Sequence, residues 1–313
     1  MRKTIIQSLS IIAAVAILSA CGGGGSNNSA SQQESVTSIQ KQDIIAEDTI
    51  DIESYGLTKD FLDKYTNSGI TDIGELVQSF PAPVEISAII QDMKVPFNAG
   101  LLFDADQVDM FETSYKKTLG LGIYCADLGY LNVYSKTGDV INYLVAIRKL
   151  TEELKLAQFF DFAVLKRAAT SNNIDSLLTL STMSYWQMDE YLRANNRSHT
   201  SALLVTGVWT ESLYLASQVY LNKGNKRMRD YIACQKLVLE NLMTVLVHYM
   251  GNNRDYVKLV ASLKELMKAY QPVSIENVEN GDKVSQVITV ADEDMIQVCK
   301  AVVDLRNKIT EAM

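Results

Sequence analysis

Residues Tyr115–Tyr134 read YKKTLGLGIYCADLGYLNVY. Apolar residues cover every side of this segment when it is wound as a helix, which is the pattern of a helix buried all round. Lys116, Lys117, Asp127, Asn132 and the glycines argue against a membrane span and for the central helix of a bundle. Gly122, Cys125/Ala126, Gly129 and Asn132 recur at helical spacing and form a seam of small residues. Glycine inside a helix costs about 1 kcal/mol relative to alanine. A neighbouring helix packed very close would compensate, and room for a ligand against bare backbone is the sharper alternative.

Outward from this stretch the pattern stays helical. No proline lies between Pro96 and Pro272, and no glycine between Gly138 and Gly207. Sheets and hairpins need turn residues, so spans this long without breakers favour helix. Short helices are expected over Thr58–Tyr65, Thr71–Phe80 and Val84–Lys94. A long helix capped by Asp104 or Asp106 should run through the opening stretch to about Lys136. Thr137-Gly138-Asp139 restarts the chain, and Val140, Leu144, Ile147, Leu150 and Leu154 stripe the next helix. Further helices are expected over Ala157–Ala169, Ile174–Ala194 and Ala202–Leu221, then to about Met250, before Pro272, and over Ala291–Ala312. Residues 273–290 are β-branched around Asn280-Gly281, the signal of a hairpin or extended loop. The fold class is all-α: antiparallel amphipathic helices around a central Gly/Tyr-rich helix, with one small hairpin-like excursion before the last helix.

The N-terminus reads as targeting sequence. Arg2 and Lys3 precede an apolar run, Ile5–Leu18, too short to span a membrane. Leu18-Ser19-Ala20-Cys21 resembles the lipobox of bacterial lipoproteins. That resemblance implies cleavage before Cys21, acylation of its thiol and new amine (palmitate among the acyl groups), and a firm membrane anchor. Gly22–Ser38 is mostly Gly, Ser, Asn and Gln, a flexible tether whose ~20 residues span roughly 25 Å. The expected organisation is a signal peptide (1–20), a lipidated Cys21 with tether (21–42), a short-helix cap region (43–97) and the main bundle (98–313). The outer membrane, facing the periplasm, is the expected location, with surface exposure left open.

Composition excludes several functions. The 313 residues carry a formal charge of −8 and no Lys/Arg cluster beyond Lys226–Arg229, which argues against nucleic acid as a partner. The two histidines, His199 and His248, fall on different helices, and no Cys-x-x-Cys occurs, so neither a metal nor another cofactor is expected. There is no Gly-x-Ser-x-Gly elbow and no dinucleotide fingerprint. Three cysteines remain after Cys21, namely Cys125, Cys234 and Cys299, all in apolar helical patterns. Buried free thiols fit that setting, with one disulfide plus one free thiol left open.

What remains is polarity on apolar faces. Asp127 lies among Ile123, Tyr124, Tyr130 and Leu131; Glu211 among Val208, Tyr214 and Leu215, beside Trp209; Gln235 between Ile232 and Val238. A buried carboxylate must be paired, hydrogen-bonded or protonated. These three groups form either a structural network fixing helix register or a ligand site, and networks of this kind are the commoner outcome.

TLGLGIYCADLGYLNVYSKT, TGVWTESLYLASQ and IACQKLVLENL resemble an all-helical family of uncharacterised Bacteroidetes lipoproteins, over most of the chain. Cys125 stands where a small residue is common, and Val208 where a second glycine is usual. The resemblance implies the fold and the compartment and carries no activity. Tyr124, Asp127, Trp209, Glu211, Tyr214 and Gln235 lie in or beside its motifs and form the candidate ligand-binding set, with no catalytic residue assigned. The expected function is a membrane-tethered binding or structural module taking a protein or small ligand in a groove beside the central helix. The alternative is a hydrolase-like enzyme using Asp127 and Glu211 as general acid and base.

Overall fold

A computed structural model of the chain describes residues 50–66, 80, 84–280 and 283–311. The signal peptide, Cys21, the tether and all but the last residue of the expected 71–80 helix lie outside them. The chain from Asp48 onward forms one unit. In chain order its helices are α1 (Lys59–Thr66), α2 (Glu85–Asp92), α3 (Ser114–Val133), α4 (Thr137–Glu153), α5 (Phe162–Thr170) and α6 (Ile174–Ala194). Then follow α7 (Ser198–Lys223), α8 (Lys226–Met250), α9 (Arg254–Ala269), strands β1 (Ser274–Asn280) and β2 (Lys283–Thr289), and α10 (Asp292–Thr310). The fold is an all-α bundle. Among the described residues no helix is long and apolar enough to cross a membrane.

Helix α3 is the opening stretch of the sequence, buried continuously from Thr118 to Val133. Its main partner is α7, buried along most of its own length. Two glycines set their closeness. A Cβ on Gly122 would stand 2.6 Å from the Val208 nitrogen and 2.8 Å from the Gly207 Cα; one on Gly207 would meet the Leu119 carbonyl. At Gly122 the seam is therefore filled by the backbone of a second helix, and no ligand space remains there. The other helices pack around this pair, each with its apolar stripe inward: α2, α4 and α6 against α3; α6, α8 and α10 against α7; and α9 between α8 and α10. Leu57, Tyr65, Ile86 and Ile90, from the expected cap region, are buried in the same core.

Helix ends follow local chemistry. Asn173, Asn225 and Asn253 accept from the first free amides of α6, α8 and α9, and α7 ends on Gly224 in the left-handed region (φ 53°). Two expectations change. Asp104 does not cap a long helix: its side chain caps only the 3₁₀ segment Ala105–Met110. The chain then breaks, and Thr113 caps α3 by accepting from the Lys116 amide at 3.2 Å. The break lets the Phe111 ring fold back onto bare Gly120, where a Cβ would stand 2.6 Å from it. Likewise 157–169 is not one helix. A 3₁₀ turn, Ala157–Phe159, is followed by Asp161, which caps α5 through the Val164 amide.

The hairpin is present. β1 and β2 pair antiparallel from Ser274↔Thr289 to Asn280↔Lys283. The three described cysteines are free thiols; Cys125 and Cys299 are buried, whereas Cys234 is only half-buried beside Gln286 on β2.

Candidate functional site

Tyr124, Asp127, Tyr130 and Tyr134 recur every three or four residues and so share one face of α3. That face holds a strap, residues 95–104, extended except for one 3₁₀ turn at Ala99–Leu101. The Tyr134 hydroxyl donates to the Val95 carbonyl (2.6 Å) and the Tyr124 hydroxyl to the Asp104 carbonyl (3.0 Å). Tyr130 accepts from the Asn98 amide (3.1 Å), and Asp127 Oδ2 accepts from the Phe103 amide (3.0 Å). From α4, the Tyr143 hydroxyl donates to the Phe103 carbonyl (2.9 Å). Loop backbone carries polar groups that must be satisfied when buried, and here tyrosines and one aspartate satisfy them. The tyrosine-rich composition of the opening stretch is a docking ladder for this strap.

Beneath the strap lies a buried ionic cluster. Asp127 and Glu211 have no exposed surface, and Arg306 reaches them from α10. Arg306 grips Glu211 through both oxygens, Nε to Oε2 at 3.0 Å and Nη2 to Oε1 at 3.2 Å. Its guanidinium lies 5.0 Å from the Phe103 ring centre and 4.7 Å from that of Tyr214, sandwiched in cation–π contact. Burial pushes the Asp127 carboxyl well above the usual carboxylate range, and the neighbouring Glu211 pushes it further; the Phe103 amide and Arg306 only partly oppose this. Burial also raises Glu211, against the pull of Arg306. Burial works to lower Arg306, but Glu211, with Asp127 and Tyr214, outweighs it, and the guanidinium stays charged. The consistent state is one proton on Asp127, with Glu211 and Arg306 as the ion pair. Asp127 Oδ1 has no hydrogen-bond partner among the described residues.

The cluster thus joins α3, α7, α10 and the strap. Of the six candidate residues it brings together Asp127, Glu211 and Tyr214, with Tyr124 joined through ring contact with Phe103. Trp209 and Gln235 belong elsewhere: the indole nitrogen donates to Gln235 Oε1 at 2.9 Å, a buried bond between α7 and α8. Sequence reasoning missed Arg306 and Phe103. Arg306 falls in step with Val302 and Ile309 on an apolar stripe, a visible anomaly; Phe103 contributes its ring and also its backbone amide and carbonyl, and the backbone part leaves no mark in sequence. It also missed Asp189, 1% exposed, which binds the Ser201 hydroxyl and Arg193 and ties α6 to α7.

A carboxylate pair that acts on a substrate needs an open pocket around it, and these two carboxylates are sealed. Accessible concavities lie elsewhere: one of about 520 Å³ runs between the strap and the end of α7, and a groove of about 370 Å³ has the more apolar lining. Tyr115, Lys116 and Leu119 from the start of α3 form one wall. The face of α9 from Asp255 to Glu265 forms a second, and Leu305, Lys308, Ile309 and Glu311 at the end of α10 form the third. Its volume is within the range of small-ligand sites. Among the described residues no group of three or more His, Cys, Asp or Glu is placed to hold a metal ion. Comparison of the chain with family models, curated proteins and solved structures finds no match.

Proposed function

We propose that this chain is a lipid-anchored binding module of the bacterial cell envelope. Cys21 is its acylated attachment to the outer membrane, and the groove between α3, α9 and α10 is its binding face. The observation that carries the reading is the separation of two features: the carboxylates are fully buried, and the groove, the most apolar of the open concavities, lies at a different place with a charged rim. On this reading Asp127, Glu211 and Arg306 are a clamp that holds the groove's walls, since α3 and α10 both contribute to it. The signal-peptide pattern, the lipobox-like Leu18-Ser19-Ala20-Cys21 and the Gly/Ser tether support the anchor, as does the resemblance to Bacteroidetes lipoproteins.

Two readouts on one preparation test it. In cells labelled with a palmitate analogue, the wild-type chain should carry label and sediment with outer membrane, and Cys21→Ser should lose both. Unchanged labelling and sedimentation would overturn the anchor. In saturation-transfer NMR with a panel of small apolar fragments, the wild-type chain should show binders that Ser262→Trp, which fills the groove floor, does not. Binding unaffected by Ser262→Trp at unchanged helical circular dichroism would overturn the groove.

A further inference from the structure

The concavity of about 520 Å³ is walled on one side by the strap, from Val95 to Asn98 with Leu101, and on the other by α7 from Gln218 to Lys223. It is separate from the groove: Tyr130, which pins this part of the strap, lies roughly 16 Å along α3 from Leu119 in the groove wall. The strap wall is held in place. The Phe97 ring stacks on Tyr130 at 5.5 Å and has the Lys136 ammonium 4.8 Å from its centre, so it is a support and not an open stacking face. Asn98 is fixed twice. Its backbone amide donates to the Tyr130 hydroxyl (3.1 Å), and its side-chain oxygen accepts from the Gly100 amide (3.0 Å), which leaves the side-chain nitrogen free to donate. On α7, Gln218 and Asn222 are four residues apart and share a face. Gln218 is half-buried, yet neither amide has a hydrogen-bond partner among the described residues. Val95, Leu101, Val219 and Leu221 add apolar surface beside these amides. Lys223 is the one charged residue in the lining, and it stands in the last turn of α7, where a cation complements the helix end.

We infer that this second concavity binds a neutral saccharide. An amide side chain donates and accepts hydrogen bonds at once, and so does a hydroxyl. Three amides beside apolar surface therefore suit a molecule with hydroxyls at its edges and C–H groups on its faces. The volume lies within the range of small-ligand sites. A ligand with several charges would find one lysine and no carboxylate. An extended peptide would need a row of free backbone groups to pair with, and the strap has few. The Val95 amide donates to the Ile90 carbonyl, and the Val95 carbonyl accepts from Tyr134. Pro96 has no N–H, the Asn98 amide is taken by Tyr130, and the Asn98 carbonyl accepts from the Leu101 amide. The polar contacts left are side-chain amides. The inference goes beyond the groove and does not depend on it.

The test is calorimetric titration of the full-length chain in lipid nanodiscs with maltotriose, cellotriose, xylotriose and N-acetylchitotriose, and with N-acetyl-trialanine amide as the peptide counterpart. At least one trisaccharide should bind saturably, and the double variant Gln218→Ala/Asn222→Ala should weaken it about tenfold or more, the loss of two side-chain hydrogen-bonding groups. Neither side chain has a protein partner among the described residues, so the variant should keep wild-type helical circular dichroism. It should also keep wild-type binding of the apolar fragment panel, which separates this site from the groove. Binding of no trisaccharide, equal binding of a trisaccharide by wild type and the double variant, or binding of the blocked peptide as tight as the best trisaccharide would overturn the inference and leave the groove standing. Silence of the fragment panel alone would overturn the groove and leave this inference standing.

Discussion

A carboxyl group with no exposed surface and one oxygen lacking a donor is costly as an anion, and a proton relieves the cost. Asp127 is such a group, and asparagine has the shape and hydrogen-bonding capacity of its protonated form. Asp127→Asn should therefore change stability by less than about 1 kcal/mol at neutral pH, read from urea denaturation. Arg306→Met should cost about 3 kcal/mol or more, because it leaves Glu211 buried without its cation. The reverse order would show Asp127 to be ionised. The sign of the pH dependence follows. Asp127 and Glu211 both hold their protons more tightly folded than unfolded. Above the ordinary aspartate value of about 3.9, and up to the raised folded value, the folded chain binds more protons, so this contribution to stability falls as pH rises. Wild type should lose stability relative to Asp127→Asn as pH increases through that window; a constant difference would rule out the buried proton. The sequence shows that Asp127 and Glu211 lie on apolar faces, because helical spacing alone places them there. It does not show that Gln235 pairs with Trp209 instead of joining them, since that depends on how far α8 is displaced from α3.

Elements in this fold are held at two kinds of contact. Where α3 crosses α7 the contact is backbone on backbone, so Gly122→Ala should cost about 1–3 kcal/mol by overpacking, although alanine is the better helix former. Gly138→Ala, with nothing within 4 Å of the added carbon, should instead be neutral or stabilising by up to about 1 kcal/mol. Thermal denaturation of the two variants checks the contrast. Where the strap lies on α3 the contact is hydrogen-bonded. Tyr124→Phe and Tyr143→Phe each leave a strap carbonyl without its donor, at a cost of about 1–3 kcal/mol. Hydrogen exchange at the Phe103 amide should accelerate in both; unchanged protection would show that the strap is held by packing alone. The glycine seam is legible in sequence, and its closing by a helix was the simpler expectation. The strap is not: 95–113 carries mixed helical and turn signals, and Asp104 looks like a helix cap until Phe111 is seen folded against Gly120. Tertiary packing of one aromatic ring overrides the local pattern there.

At the scale of the whole molecule, long breaker-free spans and Asn-rich caps make the all-α class readable from sequence, along with most helix boundaries. The groove is not readable. Its walls come from α3, α9 and α10, which are distant in the chain, and the charged residues that α9 and α10 contribute look like ordinary solvated helix surface. The carboxylates draw attention in sequence because they are anomalous, and the anomaly belongs to folding; the groove draws none. The most direct measurement compares saturation-transfer spectra of the apolar fragment panel on wild type, Asp127→Asn and Ser262→Trp, all at equal helical circular dichroism. A binding face at the groove and a clamp at the carboxylates require that Asp127→Asn keep the wild-type binders and Ser262→Trp lose them. Loss of binding in Asp127→Asn with binding intact in Ser262→Trp would place the functional site at the buried carboxylates and contradict the assignment made here.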